Sequence, residues 1–252
     1  IMFWIIPTVA FFASLLTFFS GFGLGTILLA SMLWFYPPEV AIALTAMVHL
    51  LNAAVKSLLN RRVNWGIILS FGLPSVLSSL LGSMLLSNLA LKPIILFDLT
   101  PGNLTHPVPL LTVVIGVLMM VFALIEFTMK KTEVSFPIWI GGVLSGFFGG
   151  LSGHQGALRS MFLINRMKEI KEFVATTAFI SLATDIARNS VYWSRLDWRL
   201  VDFSQLMIVS SGSILGVFLG TYLLKKMTHH LIQYLVAVGL FFLGVSISVG
   251  LI

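Results

Sequence analysis

The chain has 252 residues, 58% of them hydrophobic and only 10% charged, with a mean hydropathy of +1.03 and a net charge of +6. A soluble domain averages about 25% charged residues, so this composition excludes an aqueous fold and leaves no room for a separate soluble domain. The positive balance fits Lys- and Arg-rich cytoplasmic loops, and no nucleic-acid partner is expected. Cysteine is absent and the five histidines show no metal-ligand spacing, so neither a metal nor another cofactor is expected.

The opening Ile1-Met2-Phe3-Trp4 lacks a basic n-region and a small-residue cleavage site, and reads as part of the folded chain. Apolar segments follow at 3–20, 22–36, 40–59, 66–88 and 109–128, then at 138–151, 156–165, 173–192, 203–224 and 231–251. Residues 98–109 read as an irregular loop punctuated by Pro and Gly. Residues 129–137, with Lys130, Lys131 and Pro137, read as a linker between a first repeat at 1–128 and a second at 138–252. As one helix, residues 3–36 would reach ~51 Å, far beyond a bilayer core of ~30 Å. That run must turn back at its glycine cluster 21–25, and 138–165 behaves likewise around Gly149-Gly150-Leu151-Ser152-Gly153.

The two repeats carry matching signals. Arg62-Val63-Asn64-Trp65 recurs 133 residues later as Arg195-Leu196-Asp197-Trp198, and Glu39 and Lys92 recur at that offset as Glu172 and Lys225. One residue out of register, Ser79-Leu80-Leu81-Gly82 falls on Ser213-Ile214-Leu215-Gly216. A duplicated apolar unit broken by glycines at matching points marks a transporter with its site between the halves. Charge separates two topologies. If the first segment of each repeat spans fully, the loop cations divide six against six. If it enters and returns, Arg61, Arg62, Lys130, Lys131, Arg166, Lys168, Lys171, Lys225 and Lys226 oppose Lys92, Arg195 and Arg199, nine against three. The expected fold is therefore an all-α integral membrane protein of two inverted-topology repeats. Each is an opening broken-helix hairpin plus three spanning helices, with both termini outward.

These residues resemble the sulfite exporter TauE/SafE family of bacterial membrane permeases. The features are Ser20-Gly21-Phe22-Gly23-Leu24-Gly25, Pro38-Glu39-Val40-Ala41-Ile42-Ala43-Leu44-Thr45 and Arg61-Arg62-Val63-Asn64-Trp65. Their counterparts are Ser152-Gly153-His154-Gln155-Gly156, Val174-Ala175-Thr176-Thr177 and Arg195-Leu196-Asp197-Trp198. The resemblance implies transport of sulfite, sulfoacetate or other organosulfonates across the bacterial inner membrane by a multi-pass permease. The chain departs from that pattern where His154-Gln155 replaces the glycine-rich turn, and where no proline stands near 30–33.

Ionisable residues inside apolar segments are expensive, about 2.5–3.5 kcal/mol each on insertion scales, and so mark function. Lys56 reads as snorkelling toward the surface near Arg61. Arg159 follows a glycine turn whose amides attract an oxyanion, and its planar fork matches two oxygens of a sulfite or sulfonate. It either binds substrate, caps carbonyls freed by the broken helix, or snorkels. Arg188 has Asp185 one turn before it; that pair is either structural or part of the pathway. His154 either binds the anion or relays a proton, or else satisfies broken backbone. Gln155, Ser152, Gly153 and Gly156 complete the second turn, and Gly21, Gly23 and Gly25 the first. His49 and Asn52 lie one turn apart in 40–59, and Asn52 aligns with Asp185 at the 133-residue offset.

The reading that results is a secondary transporter of small sulfur-containing or carboxylate anions, with substrate at the midplane, rocking halves and any proton coupling through Asp185 or a histidine. No sequence feature fixes an oligomeric state. A purely structural or scaffolding membrane protein would leave buried Arg159, Arg188 and Asp185 costly and idle, and two further alternatives stand beside the transporter. One is a passive anion channel. The other is a rhomboid-like serine protease, with Ser152 in Gly150-Leu151-Ser152-Gly153 as nucleophile and His49 as base; the recurrence of Ser20-Gly21 makes that motif architectural.

Overall fold

A computed structural model describes residues 2–18, 23–59, 62–99, 106–128, 136–167, 169–195, 198–223 and 229–250. Ten helices dominate these residues. In chain order they are α1 (Met2–Leu16), α2 (Leu24–Met32), α3 (Pro38–Leu59), α4 (Trp65–Leu91) and α5 (Leu110–Thr128). Then come α6 (Ile138–Ser152), α7 (Gln155–Leu163), α8 (Ile170–Arg195), α9 (Phe203–Leu223) and α10 (His229–Ser248). Among the described residues α3, α4 and the Phe203–Gly220 part of α9 are long and apolar enough to cross a bilayer. The segment expected as an irregular loop is instead ribbon at both ends: β1 (Ile95–Leu99) pairs antiparallel with β2 (His106–Pro109). The all-helical class stands, with one small antiparallel ribbon among the described residues.

Helix α4 is inside-out for a protein in water. Leu69, Leu73, Leu77 and Leu81 face outward, while Ser75, Ser79, Ser83 and Ser87 are buried. With lipid outside, apolar side chains gain nothing by burial and small residues take the interfaces. The serines meet Gly142, Gly146 and Gly150 on α6, where a Cβ would overlap the carbonyls of Phe71, Ser75 and Ser79. Gly212, Gly216 and Gly220 on α9 do the same for α1, against the Pro7 and Phe11 carbonyls and the Phe18 side chain. Gly116 of α5 and Gly244 of α10 likewise meet backbone to backbone. Ordinary side chains at these positions would hold the helices apart.

The pairings repeat. Helix α4 packs on α6 as α9 packs on α1; α4 packs on α8 as α9 packs on α3; and α6 contacts α7 as α1 contacts α2. The pairs α3–α8 and α5–α10 close the pattern on themselves. Helix α7 folds back along α6, since Ser145 Oγ donates to the Gln155 carbonyl (2.9 Å) and Gly141 lies under the Phe162 ring. Within α4 a π-helical stretch, Ile68–Gly72, precedes Pro74. Proline removes an amide and crowds the carbonyl four residues back, and a π-turn absorbs both.

The loops also sort. Arg62 Nη1 lies 3.1 Å from Glu169, and Asn64, which caps α4 by accepting from Ile67 N–H (3.1 Å), donates to Glu172 (2.8 Å). Segments 62–64 and 169–172 therefore share one end of the bundle. At the other end Arg195 donates to Asn88 (2.7 Å), close to Lys92 in sequence. There Tyr36 donates to Gln205 (3.2 Å), and burial with the neighbouring Asp202 carboxylate raises the phenol above its ordinary pKa, keeping it neutral. The linker 129–135 lies outside the described residues.

Candidate functional site

Both broken helices depend on a left-handed glycine. Gly23 (φ 103) starts α2, and Gly153 (φ 80) ends α6. A side chain at Gly23 would also strike Thr17. The two turns meet: a Cβ on Gly25 would lie 3.5 Å from the Gly153 carbonyl and 3.8 Å from His49 Cδ2. Gly21 lies outside the described residues. Gly156 sits in the first turn of α7.

Ending α6 inside the bundle strands its last carbonyls, which water cannot satisfy there. Helix α8 supplies the donors. Arg188 Nη1 donates to the Gly149 carbonyl (2.9 Å), and Tyr192 Oη donates to that of Gly150 (2.5 Å). Arg188 thus caps a carbonyl freed by the broken helix. Its charge is met by Asp185, with Nε and Nη2 each 2.8 Å from Oδ1. Asp185 also accepts from Gln155 Nε2 (2.8 Å), and its Oδ2 lies 2.6 Å from His49 Nδ1. Asp185 and Arg188 are completely buried. One carboxylate therefore ties together α3, α7 and α8 beside the second turn.

In front of this network is a cavity of about 20 Å³, lined by His49, Asn52, Lys56, Arg159, Thr177 and Ser181, with Phe18 at its edge. It lies in the C-terminal half of α3 and the N-terminal half of α8, toward the end that carries Arg62 and Glu169. Arg159 projects from α7 and is 1% exposed. Asn52 donates to Ser14 (2.9 Å) on α1 and Ser213 (2.8 Å) on α9, whose hydroxyls are 2.7 Å apart. It holds one wall in place with hydrogen bonds that use no charge.

Of the residues singled out in the sequence, His49, Asn52 and Arg159 line this cavity, with Gln155, Asp185 and Arg188 directly behind. His154 and Ser152 face elsewhere. His154 stacks on Phe122 of α5 (5.2 Å, 5°), and its Nδ1 lies 3.2 Å from Ser152 Oγ, which itself donates to the Phe148 carbonyl (3.0 Å). Among the described residues His154 Nε2 has no hydrogen-bond partner. Ser152 Oγ is thus bonded within its own turn, and His49 Nδ1 is bonded to Asp185. The snorkelling expectation for Lys56 is corrected. Lys56 is half-buried, lines the cavity, and holds Nζ 5.5 Å from the centre of the Phe18 ring. The spacing 49, 52, 56 on one helix face carried that information; proximity to Arg61 hid it.

A helical membrane protein with two broken helices meeting beside buried arginines has the architecture of a membrane transporter. The chain belongs to the sulfite exporter TauE/SafE family, whose family model matches residues 6–247. Comparison with curated proteins and with solved structures gives no match.

Proposed function

We propose that this protein carries sulfite and small organosulfonates, such as sulfoacetate, across the bacterial inner membrane by alternating access between two inverted repeats, in the direction of export. The observation that carries the reading is Arg159, a completely buried guanidinium facing a cavity shared with His49 and Asn52. A planar fork there meets two oxygens of an S–O head group, and the amide of Asn52 and hydroxyls of Thr177 and Ser181 meet the rest. The amides at the Gly153–Gly156 turn add partial positive charge behind it. At about 20 Å³ the cavity holds little more than a water molecule, so cargo is admitted only as the repeats move about the site. Inverted repeats are supported by the exchanged pairings α4–α6 and α1–α9 and by basic segments gathered at one end. His49, bonded to Asp185 and facing the cavity, is the group through which a proton would couple to the anion. In this reading Gln155 and Arg188 position Asp185, and His154 seats the second turn on α5.

The test is flux into proteoliposomes of sulfite, ethanesulfonate and an acetate control, with and without a pH gradient. Wild type is expected to show saturable sulfite flux. Arg159→Ala should lose about a hundredfold, the scale of a buried charge partner at about 2–5 kcal/mol, and Arg159→Lys should recover part of it. Proton coupling predicts that the gradient's effect disappears in His49→Gln. Undiminished flux in Arg159→Ala would move the site elsewhere, and non-saturating flux would favour the channel.

A further inference from the structure

The seam between α3 and α8 is open on one side of the His49–Asp185 pair and closed on the other. The two helices run antiparallel, since Arg62, beyond the end of α3, meets Glu169, just before α8. Inward of the pair, Asn52 and Lys56 of α3 and Thr177 and Ser181 of α8 line the cavity. One turn outward stand Thr45, four residues before His49, and Asn189, four after Asp185, each on the face of its helix that carries the pair. Thr45 is 2% exposed, and its hydroxyl is buried without a hydrogen-bond partner among the described residues. Asn189 donates its amide to the Asp185 carbonyl (2.8 Å), which leaves its Oδ1 buried and equally unmet. Among the described residues these are the only such side-chain atoms on α3 and α8.

The duplication gives the two positions a meaning. At the 133-residue offset Lys56 falls on Asn189, and Thr177, Ala178 and Ser181 fall on Leu44, Thr45 and Val48. Lys56, Thr177, Ala178 and Ser181 line the cavity, whereas Leu44, Thr45 and Val48 are buried. When two inverted copies exchange conformations, the lining of one path becomes the lining of the other. Polar atoms without partners are costly where no water reaches, so they mark surface that a second state wets. We propose that Thr45 and Asn189 line the outward half of the pathway, closed in this structure. Cargo leaves between them once the N-terminal half of α3 parts from the C-terminal half of α8. This rests on the inverted-repeat transport reading above and names the exit that it requires. In the open path the Thr45 hydroxyl donates to the passing anion, and Asn189 Oδ1 accepts from its water.

The chain has no cysteine, so an introduced one is the only thiol available to a reagent. The experiment treats Thr45→Cys, Asn189→Cys and, on the cavity wall, Ala178→Cys with a cationic, membrane-impermeant methanethiosulfonate. Right-side-out and inside-out membrane vesicles are compared, with labelling read by mass and sulfite flux measured alongside. The thiols at 45 and 189 should react about tenfold faster from the outer face, and the thiol at 178 from the inner face, because each rate follows the population open to that side. Labelling at 45 or 189 should also block flux. A Thr45→Cys or Asn189→Cys protein that carries sulfite yet reacts only from the inner face, or from neither, overturns the inference and leaves transport standing. Sided labelling without sulfite flux in wild type overturns the substrate reading and keeps the exit. If both variants lose flux, Ala41→Cys takes their place with the same two outcomes; Ala41 lies four residues before Thr45 and is the counterpart of Val174 in the cavity wall.

Discussion

The two halves solve one problem with opposite chemistry. At matching positions on α3 and α8 stand Asn52 and Asp185, each fully buried and each tying several helices together. Asn52 does so with two serine hydroxyls and no charge. Asp185 does so with an arginine, a histidine and a glutamine, and its arginine in turn holds the end of a broken helix. The position on α3 is thus held without charge, and its counterpart on α8 with it.

The sharpest way to break this contrast is to delete one ion. Asp185→Ala leaves Arg188 buried without its carboxylate, and thermal unfolding in detergent should show a loss of about 3–5 kcal/mol or no folded protein. Making the second half like the first, with Asp185→Asn and Arg188→Val (Val55 is the counterpart of Arg188), should recover much of that stability while flux stays absent. Next in size is Gly153→Ala, which forces a side chain into the left-handed region and should cost about 1–2 kcal/mol. Gly25→Ala has no such strain and only ordinary contacts, so unfolding should barely change; a large effect there would mean the turns meet more tightly than described. Asn52→Ala should cost about 1–3 kcal/mol through the serines it leaves unsatisfied. Small too is Glu169→Gln, whose exposed pair with Arg62 should contribute less than about 1 kcal/mol and fade in salt.

Much of this was legible because membranes make polarity and glycine expensive. The helix breaks at Gly23 and Gly153, the meeting of Arg62 with Glu169, and the burial of Arg159, Asp185 and Arg188 are consistent with where apolar runs are interrupted. Pairings were not legible. No spacing within α8 shows that Arg188 reaches Gly149, or that Asp185 engages Gln155 and His49, because those partners arrive from other helices. Lys56 was misread because one charge near a loop looks the same whether it turns outward or under Phe18. The β-ribbon was hidden by Pro107 and Pro109, which are permitted at a ribbon's edge yet signal a loop to any local reading.

The seam between α1 and α9 bears on how the protein is made. Ser14 and Ser213, bonded at its centre, are 199 residues apart in the chain. At ~5–20 residues per second, α1 waits about 10–40 s after its own synthesis before its glycine-faced partner exists. Throughout that interval Ser14 lacks the Ser213 hydroxyl, although Asn52, 38 residues on, is made early. Helix α1 thus meets α2 early but completes its packing only when α9, late in the chain, has been made.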